Sequence, residues 1–385
     1  LVFGSLYYSK FILKSEFEYP EQENIIYLLV LVFIIKQLAN IPKLTFQAKE
    51  EVAKMSIPPI IATSVRSPSA IYVAISGLGV YSLVYTQLLG ALALIFTYIF
   101  LFRNYPLKKP NLKLIKDYSK FAMPLALLIV LTTIVIQIDK IMIGVFVSIE
   151  EVGYYTTVLD IISHLGIVGG TVTMLLFPSF SALHAEGNVV AIRKTSLKSE
   201  RFIAIILVPV CTLIIVFSKE IIHFFLSDLF QPASSILSIM ALVILLNGLR
   251  GPYEVQFAAT NNPGLGAKLG AFVMLTNILL NIIFIPDEFL GIEMLGLGMV
   301  GAALSTLISM GFLFNILCRS YVYKLTKTPS NPYIIIHFLA GAIMGFSVQS
   351  INLFFPVFEL KGFLSFSLLV FYGALGLFLH YILLY

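Results

Sequence analysis

The chain is a succession of apolar runs, most of them about twenty residues long, separated by short polar breaks, and no other feature constrains its fold as strongly. A helix rising 1.5 Å per residue needs about 20 residues to cross the roughly 30 Å hydrocarbon core of a bilayer. Lipid offers a backbone no hydrogen bonds, so runs of this length must satisfy their own groups as helices. In order, the runs give a partial span at 1–13 and full spans near 25–47, 56–76, 80–102, 118–146, 152–178, 200–217, 233–250, 266–286, 298–318, 333–353 and 363–384. The expectation is an all-α polytopic membrane protein, with Gly77 to Gly79 as the break at which two neighbouring spans almost merge.

Composition removes the other classes. Hydrophobic residues make up 59% and charged residues 12% of the chain, with a mean hydropathy of +0.96, against about 25% charged in an ordinary soluble domain. That balance excludes a soluble enzyme, a nucleic-acid reader and a disulfide-stapled secreted module. Cys211 and Cys318 both fall in spans and form neither a disulfide framework nor a ligand cluster. The first residue is Leu1, and the segment 1–13 is too short to span, so the N-terminus reads as incomplete rather than as a cleaved signal peptide.

Charge fixes the orientation. Alternate segments carry Lys43, Lys49 and Lys54; the run from Arg103 to Lys120; Arg193, Lys194, Lys198 and Arg201; Arg250 and Lys268; and Arg319, Lys324 and Lys327. The segments between them carry acids, among them Glu16, Glu18, Glu150, Glu151, Glu220, Asp228, Asp287, Glu288 and Glu293. By the positive-inside rule the basic set is cytoplasmic, and the Lys-rich run from Arg103 to Lys120 reads as that signal rather than as a headgroup site. The outer segments are short, which argues against a membrane glycosyl polymerase or ligase.

Gly296, Gly298 and Gly301 spell G-x-G-x-x-G, but no strand precedes them, and small residues packing a helix end explain the pattern better than a dinucleotide does. His184, His223, His337 and His380 are scattered near loops or helix ends. The sequence calls for no metal, no cofactor and no catalytic constellation.

The informative residues are charges placed in hydrocarbon, each costing about 2.5 to 3.5 kcal/mol at a helix centre unless paired or facing water. Arg66 lies in the middle of the 56–76 span among Pro58, Pro59 and Pro68 and reads as a cavity-facing cation. Asp139, Lys140 and Asp160 lie at similar depth on consecutive spans and are placed to pair, or Lys140 snorkels and leaves Asp139 to a backbone partner. Asp160 and His164, four residues apart, share a face and form a candidate proton site. Asn277 and Asn281 form a second polar pair at that spacing, which reads as tying helices together. Asn247, Arg250 and Glu254 are expected together at a cytoplasmic turn.

Two stretches carry a resemblance. Residues 121–188 contain QIDKIMIG from Gln137, EEVGYY from Glu150 and FPSFS from Phe177. In order they resemble the Q-[IV]-D-[RK]-x-[IL]-[IL]-G, E-x-V-G-x-Y and F-P-x-[FL]-S series that opens the second half of polysaccharide-type flippases. Residues 277–309 contain NILLNIIFIP followed by GMVGAALSTLIS, similar to that family's N-x-x-x-N-x-x-x-I-P and G-x-x-G-A-A-x-[AS]-T. The chain therefore resembles the polysaccharide transporter, or O-antigen flippase, branch of the multidrug, oligosaccharidyl-lipid and polysaccharide exporter superfamily.

The resemblance implies two pseudo-symmetric helical lobes plus a C-terminal helix pair in the plasma or inner membrane. Residues 1–117 would be the rest of the first lobe, without its first two helices, 118–318 the second lobe and 319–385 the final loop and pair. It implies alternating-access transport of a polyprenyl-phosphate-linked glycan to the outer leaflet, with membrane lipids and a coupling ion, proton or sodium, as partners and no nucleic acid. Arg66, Gln137, Asp139, Lys140, Asn277 and Asn281 would line the substrate cavity, Asp160 and His164 would couple, and Arg250 and Glu254 would stand at the cytoplasmic entrance. A cation-coupled multidrug exporter of the same superfamily is the alternative.

Overall fold

The computed structural model describes residues 21–49, 51–105, 137–354 and 363–384. The fragment at 1–13, most of the 118–146 span and the basic run beyond Tyr105 lie outside the described residues. Two compact units divide the chain, Leu1–Tyr118 and Ser119–Tyr385. Among the described residues the structure is almost wholly helical, and eight helices are long and apolar enough to cross a membrane.

The first unit contains α1 (Glu21–Ala48), α2 (Val52–Ile75) and α3 (Gly79–Phe102). Gly77 and Gly79, at φ of 63° and 78°, make the tight turn between α2 and α3 that separates the two spans. Gly90 of α3 lets α2 approach closely, since a Cβ there would meet the Arg66 Cβ at 3.0 Å. An aromatic cluster of Phe46, Tyr98, Phe102 and Tyr105 closes the cytoplasmic end. Beside it the Tyr105 hydroxyl donates to Glu51, and Lys54 bonds both. The Tyr105 hydroxyl, and after it Lys54, holds the Glu51 carboxyl below its usual range.

The second unit runs through α4 (Ile138–Phe146), α5 (Ile149–Ala185), α6 (Val189–Val216), α7 (Ser218–Phe225), a 3₁₀ turn at Asp228–Ala233, α8 (Ser234–Ala259) and α9 (Pro263–Phe284). A two-residue-stranded outer hairpin follows, β1 (Glu288–Phe289) paired with β2 (Ile292–Glu293). Then come α10 (Gly298–Thr306), a π-helical segment Leu307–Leu313, α11 (Phe314–Thr326), α12 (Tyr333–Phe354) and α13 (Phe363–Leu384). Helix α8 is the hub, its apolar side fully buried among α5, α6 and α11. Its closest approach is to α5, where a Cβ on Gly169 would meet the Gly248 Cα at 2.9 Å.

Several helices outrun their apolar stretches. Helix α5 has 37 residues, about 55 Å at 1.5 Å per residue, and α6 begins at Val189, before the run expected from 200. Helix α8 continues to Ala259. Arg250 and Glu254 therefore lie inside a helix rather than at a turn, because α8 stays helical through Pro252 and on past the end of its apolar run. Cytoplasmic helix ends are held by polar side chains instead of loops: Gln256 bonds Ser196 at 2.9 Å and accepts from Thr326 at 2.7 Å.

The G-x-G-x-x-G stretch shapes the outer end. Gly296 and Gly298 have φ of 60° and 53°, and a Cβ on Gly301 would meet the Phe284 carbonyl oxygen at 2.4 Å. These glycines let α10 begin hard against α9, the packing role expected of them. Glu151, at the start of α5, accepts the Met299 backbone N–H at 2.8 Å and so caps α10.

Candidate functional site

Two polar centres stand out, one in each unit, and the first is cationic. A cavity of about 200 Å³ in the first unit is lined by Lys36, Lys43 and Arg66 together with Asn40, Thr63 and Gln87, and by no acid. Counting helical rise from the cytoplasmic ends of α1 and α2, Lys43, Lys36 and Arg66 sit about 8, 18 and 21 Å deep. They form a ladder of positive charge along α1 and α2, starting near the end where the two helices meet. The Arg66 side chain is half-buried and has no hydrogen bond or ion pair among the described residues. Pro58, Pro59 and Pro68 interrupt the α2 ladder around it, and Pro59 itself faces the cavity.

Such an arrangement suits an anion. A guanidinium offers a planar fork of donors that matches a phosphate, and flanking ammonium groups supply further charge. Among the described residues none of the three has an acid partner, so water must solvate them where no anion does.

The second centre is built of oxygen. Asp139, in the first turn of α4, accepts from Asn281 Nδ2 at 2.6 Å, from Thr306 Oγ1 at 2.9 Å and from the Tyr155 hydroxyl at 2.9 Å. Asn281 Nδ2 also reaches Asn277 Oδ1 at 3.3 Å, and Asn277 Nδ2 reaches Thr306 Oγ1 at 3.3 Å. Four helices contribute, α4, α5, α9 and α10. Tyr155 of the E-x-V-G-x-Y stretch, Asn277 and Asn281 of N-x-x-x-N and Thr306 of S-T, the last 167 positions away, thus gather round the carboxylate of Q-I-D-K. Asn281 Oδ1 is buried there with no partner among the described residues, an acceptor left open beside an acid.

The remaining sequence candidates are placed as follows. Asp139 bonds neither Lys140 nor Asp160; its partners are side chains of α5, α9 and α10, because helix rotation turns Tyr155 toward it and Asp160 away. Lys140 and Gln137 are half-buried at the start of α4. Asp160 and His164 share an exposed face of α5 and make no side-chain bond to each other. Arg250 donates to Glu254 at 2.9 Å, to Asn247 at 2.7 Å and to the Met310 carbonyl at 2.8 Å.

Sequence reasoning missed Lys36, Lys43, Tyr155 and Thr306. Lys36 carried the signal used for Arg66, a charge inside an apolar run, and Lys43 lines the cavity from within α1 instead of standing beyond the span. Tyr155 and Thr306 are ordinary in membrane helices, and only their partners single them out.

The model described as polysaccharide biosynthesis protein matches residues 1–235, more than half of the chain. A probable low-salt glycan biosynthesis flippase of Haloferax volcanii, Agl15, is 28% identical over 171 residues, 44% of this chain and 34% of that protein, so the match spans about a third of the relative's length. The lipid II flippase MurJ in an inward closed conformation shares the fold, with a TM-score of 0.65 and 16% identity over 93% of this chain and 70% of that one. An outward-facing multidrug resistance transporter of the MATE family, in the MOP superfamily, is also similar, with a TM-score of 0.52 and 17% identity over 83% of this chain and 75% of that one. At these identities the likeness is one of fold.

Proposed function

The chain belongs to the polysaccharide biosynthesis protein family, and from that premise we propose that it is a flippase for a lipid-linked oligosaccharide, carrying a polyprenyl-phosphate-linked glycan from the cytoplasmic to the outer leaflet. The observation that supports this reading is the cationic ladder of Lys43, Lys36 and Arg66 in an acid-free cavity. A phosphate head cannot cross about 30 Å of hydrocarbon unaided, whereas its isoprenoid tail is at home there. The protein need shelter only the head. Lys43 and Lys36 draw the anion in from the cytoplasmic side, and Arg66 holds it at mid-depth with its fork of donors. An exporter of cationic drugs would find three positive charges in that cavity, which disfavours the alternative.

The oxygen cluster around Asp139 supports a cation partner. One carboxylate with the neutral oxygens of Asn277, Asn281 and Thr306 balances a single positive charge, and hard cations favour oxygen ligands. The open Asn281 Oδ1 fits such an ion. Sodium, co-transported or exchanged, is the substrate we assign to this centre, with Asp139 as its charged ligand. Asp160 and His164, exposed on one face of α5, keep in this reading the part of a candidate proton site.

The test is leaflet accessibility of a labelled polyprenyl-pyrophosphate oligosaccharide in proteoliposomes holding the full-length protein, with a cationic dye in parallel. Glycolipid movement without dye efflux is expected. Arg66→Gln should slow that movement about tenfold or more, the equivalent of losing one charged hydrogen bond. Dye efflux without glycolipid movement would sink the proposal.

A further inference from the structure

A π-helical turn is uncommon and needs a reason, and such turns concentrate at functional sites. Here it occupies Leu307–Leu313 inside the otherwise α-helical stretch Gly298–Thr326, and it begins directly after Thr306, a member of the Asp139 cluster. Side chains donate to two carbonyls of this segment. Arg250 Nη1 donates to the Met310 carbonyl at 2.8 Å, and Asn315 Nδ2 donates to the next one, of Gly311, at 2.8 Å. Asn315 Nδ2 also reaches the Leu246 carbonyl of α8 at 2.9 Å. The guanidinium of Arg250 lies 4.1 Å over the Phe314 ring, where α-helix resumes. Arg250 is itself held by Asn247 and Glu254 on either side of it along α8, and its side chain is only 11% exposed.

The extra residue in the turn has a geometrical consequence. One residue of helix is about 100° of rotation, so a π turn offsets everything before it from everything after it by about that angle. With the offset, Thr306 faces Asp139 and Asn277 while Asn315 and Arg319 face α8 and α6. Without it, one of those two sets would turn away. We infer that Arg250 is a positioning residue of the cation centre: by holding the π turn open through the Met310 carbonyl it aims the Thr306 hydroxyl at Asp139, and so sets sodium affinity without touching the ion. This rests on the assignment of sodium to the Asp139 centre, and it gives Arg250 a task other than meeting substrate at an entrance.

The experiment uses the full-length protein in nanodiscs, with binding of radioactive sodium ion and sodium-dependent thermal protection as readouts. Asp139→Asn tests the centre itself and should abolish both. Arg250→Gln should weaken sodium binding about tenfold, the equivalent of one mispositioned ligand, with a sodium-free melting temperature close to the parent's. Arg250→Lys, which keeps the charge but loses the fork, should recover part of that loss. Should Arg250→Gln fail to fold, Asn315→Ala removes the other clamp on the turn and is expected to weaken sodium binding in the same direction. Parental sodium affinity in the foldable Arg250 and Asn315 variants, with Asp139→Asn still inactive, would overturn the role of Arg250 and leave the centre standing. Parental affinity in Asp139→Asn would instead overturn the centre.

Discussion

Buried charges in this protein are of two kinds, and their partners tell them apart. Arg66 has none among the described residues and lines a cavity, whereas Arg319 is consumed by Glu200, which is fully buried and also accepts from the Tyr253 hydroxyl at 2.7 Å. Arg319→Leu should therefore destabilise the second unit by about 3 to 5 kcal/mol, since it strands the Glu200 charge. Glu200→Leu together with Arg319→Leu should recover most of that loss. Thermal melts of the purified protein measure both, and equal melting temperatures for the single and double variants would show the pair to be unimportant. Legibility in the sequence follows the same division. Arg66, Asp139, Asn277 and Asn281 were visible because each is a polar residue interrupting an apolar run. The Glu200–Arg319 pair was not, because both residues fall at the ends of the spans expected at 200–217 and 298–318, where a charge needs no explanation, and 119 positions separate them.

At the scale of elements, hydropathy reports which residues lipid can hold but not where a helix stops. Eight of the expected spans match helices long and apolar enough to cross a membrane; the helices at 56–76 and 363–384 are not among those eight. The extensions of α5, α6 and α8 were not legible: residues such as Lys194, Lys198 and Glu200 are good helix formers in water as well. The π segment was hidden for a related reason, since its sequence, LISMGFL, is as apolar as its neighbours. Glycine is what joins the elements. Gly169 meets Gly248 backbone to backbone, and Gly251 leaves room for Thr173, so α5 and α8 approach as small-residue helices do in membranes. Gly169→Val should force them apart and cost about 1 to 3 kcal/mol. Gly170→Val, one position on and facing open space, should cost far less; similar melting temperatures for the two would contradict the packing described.

For the whole molecule, the alternation of basic and acidic segments gives an orientation that thiol labelling can check. Cys211 and Cys318 are buried and provide a quiet background. Leu290→Cys, at the tip of the outer hairpin and 86% exposed in the native residue, should react with an impermeant maleimide added to intact cells. Glu186→Cys, in the turn between α5 and α6, should react only after the membrane is opened. The reverse pattern would invert the topology.

The ladder of Lys43, Lys36 and Arg66 has an electrical consequence. An elementary charge moved across 100 mV exchanges about 2.3 kcal/mol with the field, and the empty cavity carries three positive charges part-way across it. On the proposed function, a bound pyrophosphate would neutralise most of them, so the loaded protein would move through the field almost uncharged. The empty one would not, and an inside-negative potential pulls its cations back toward the cytoplasm. On the proposed function, the membrane voltage would act on the return stroke, resetting the carrier for the next glycan rather than pushing the one it holds.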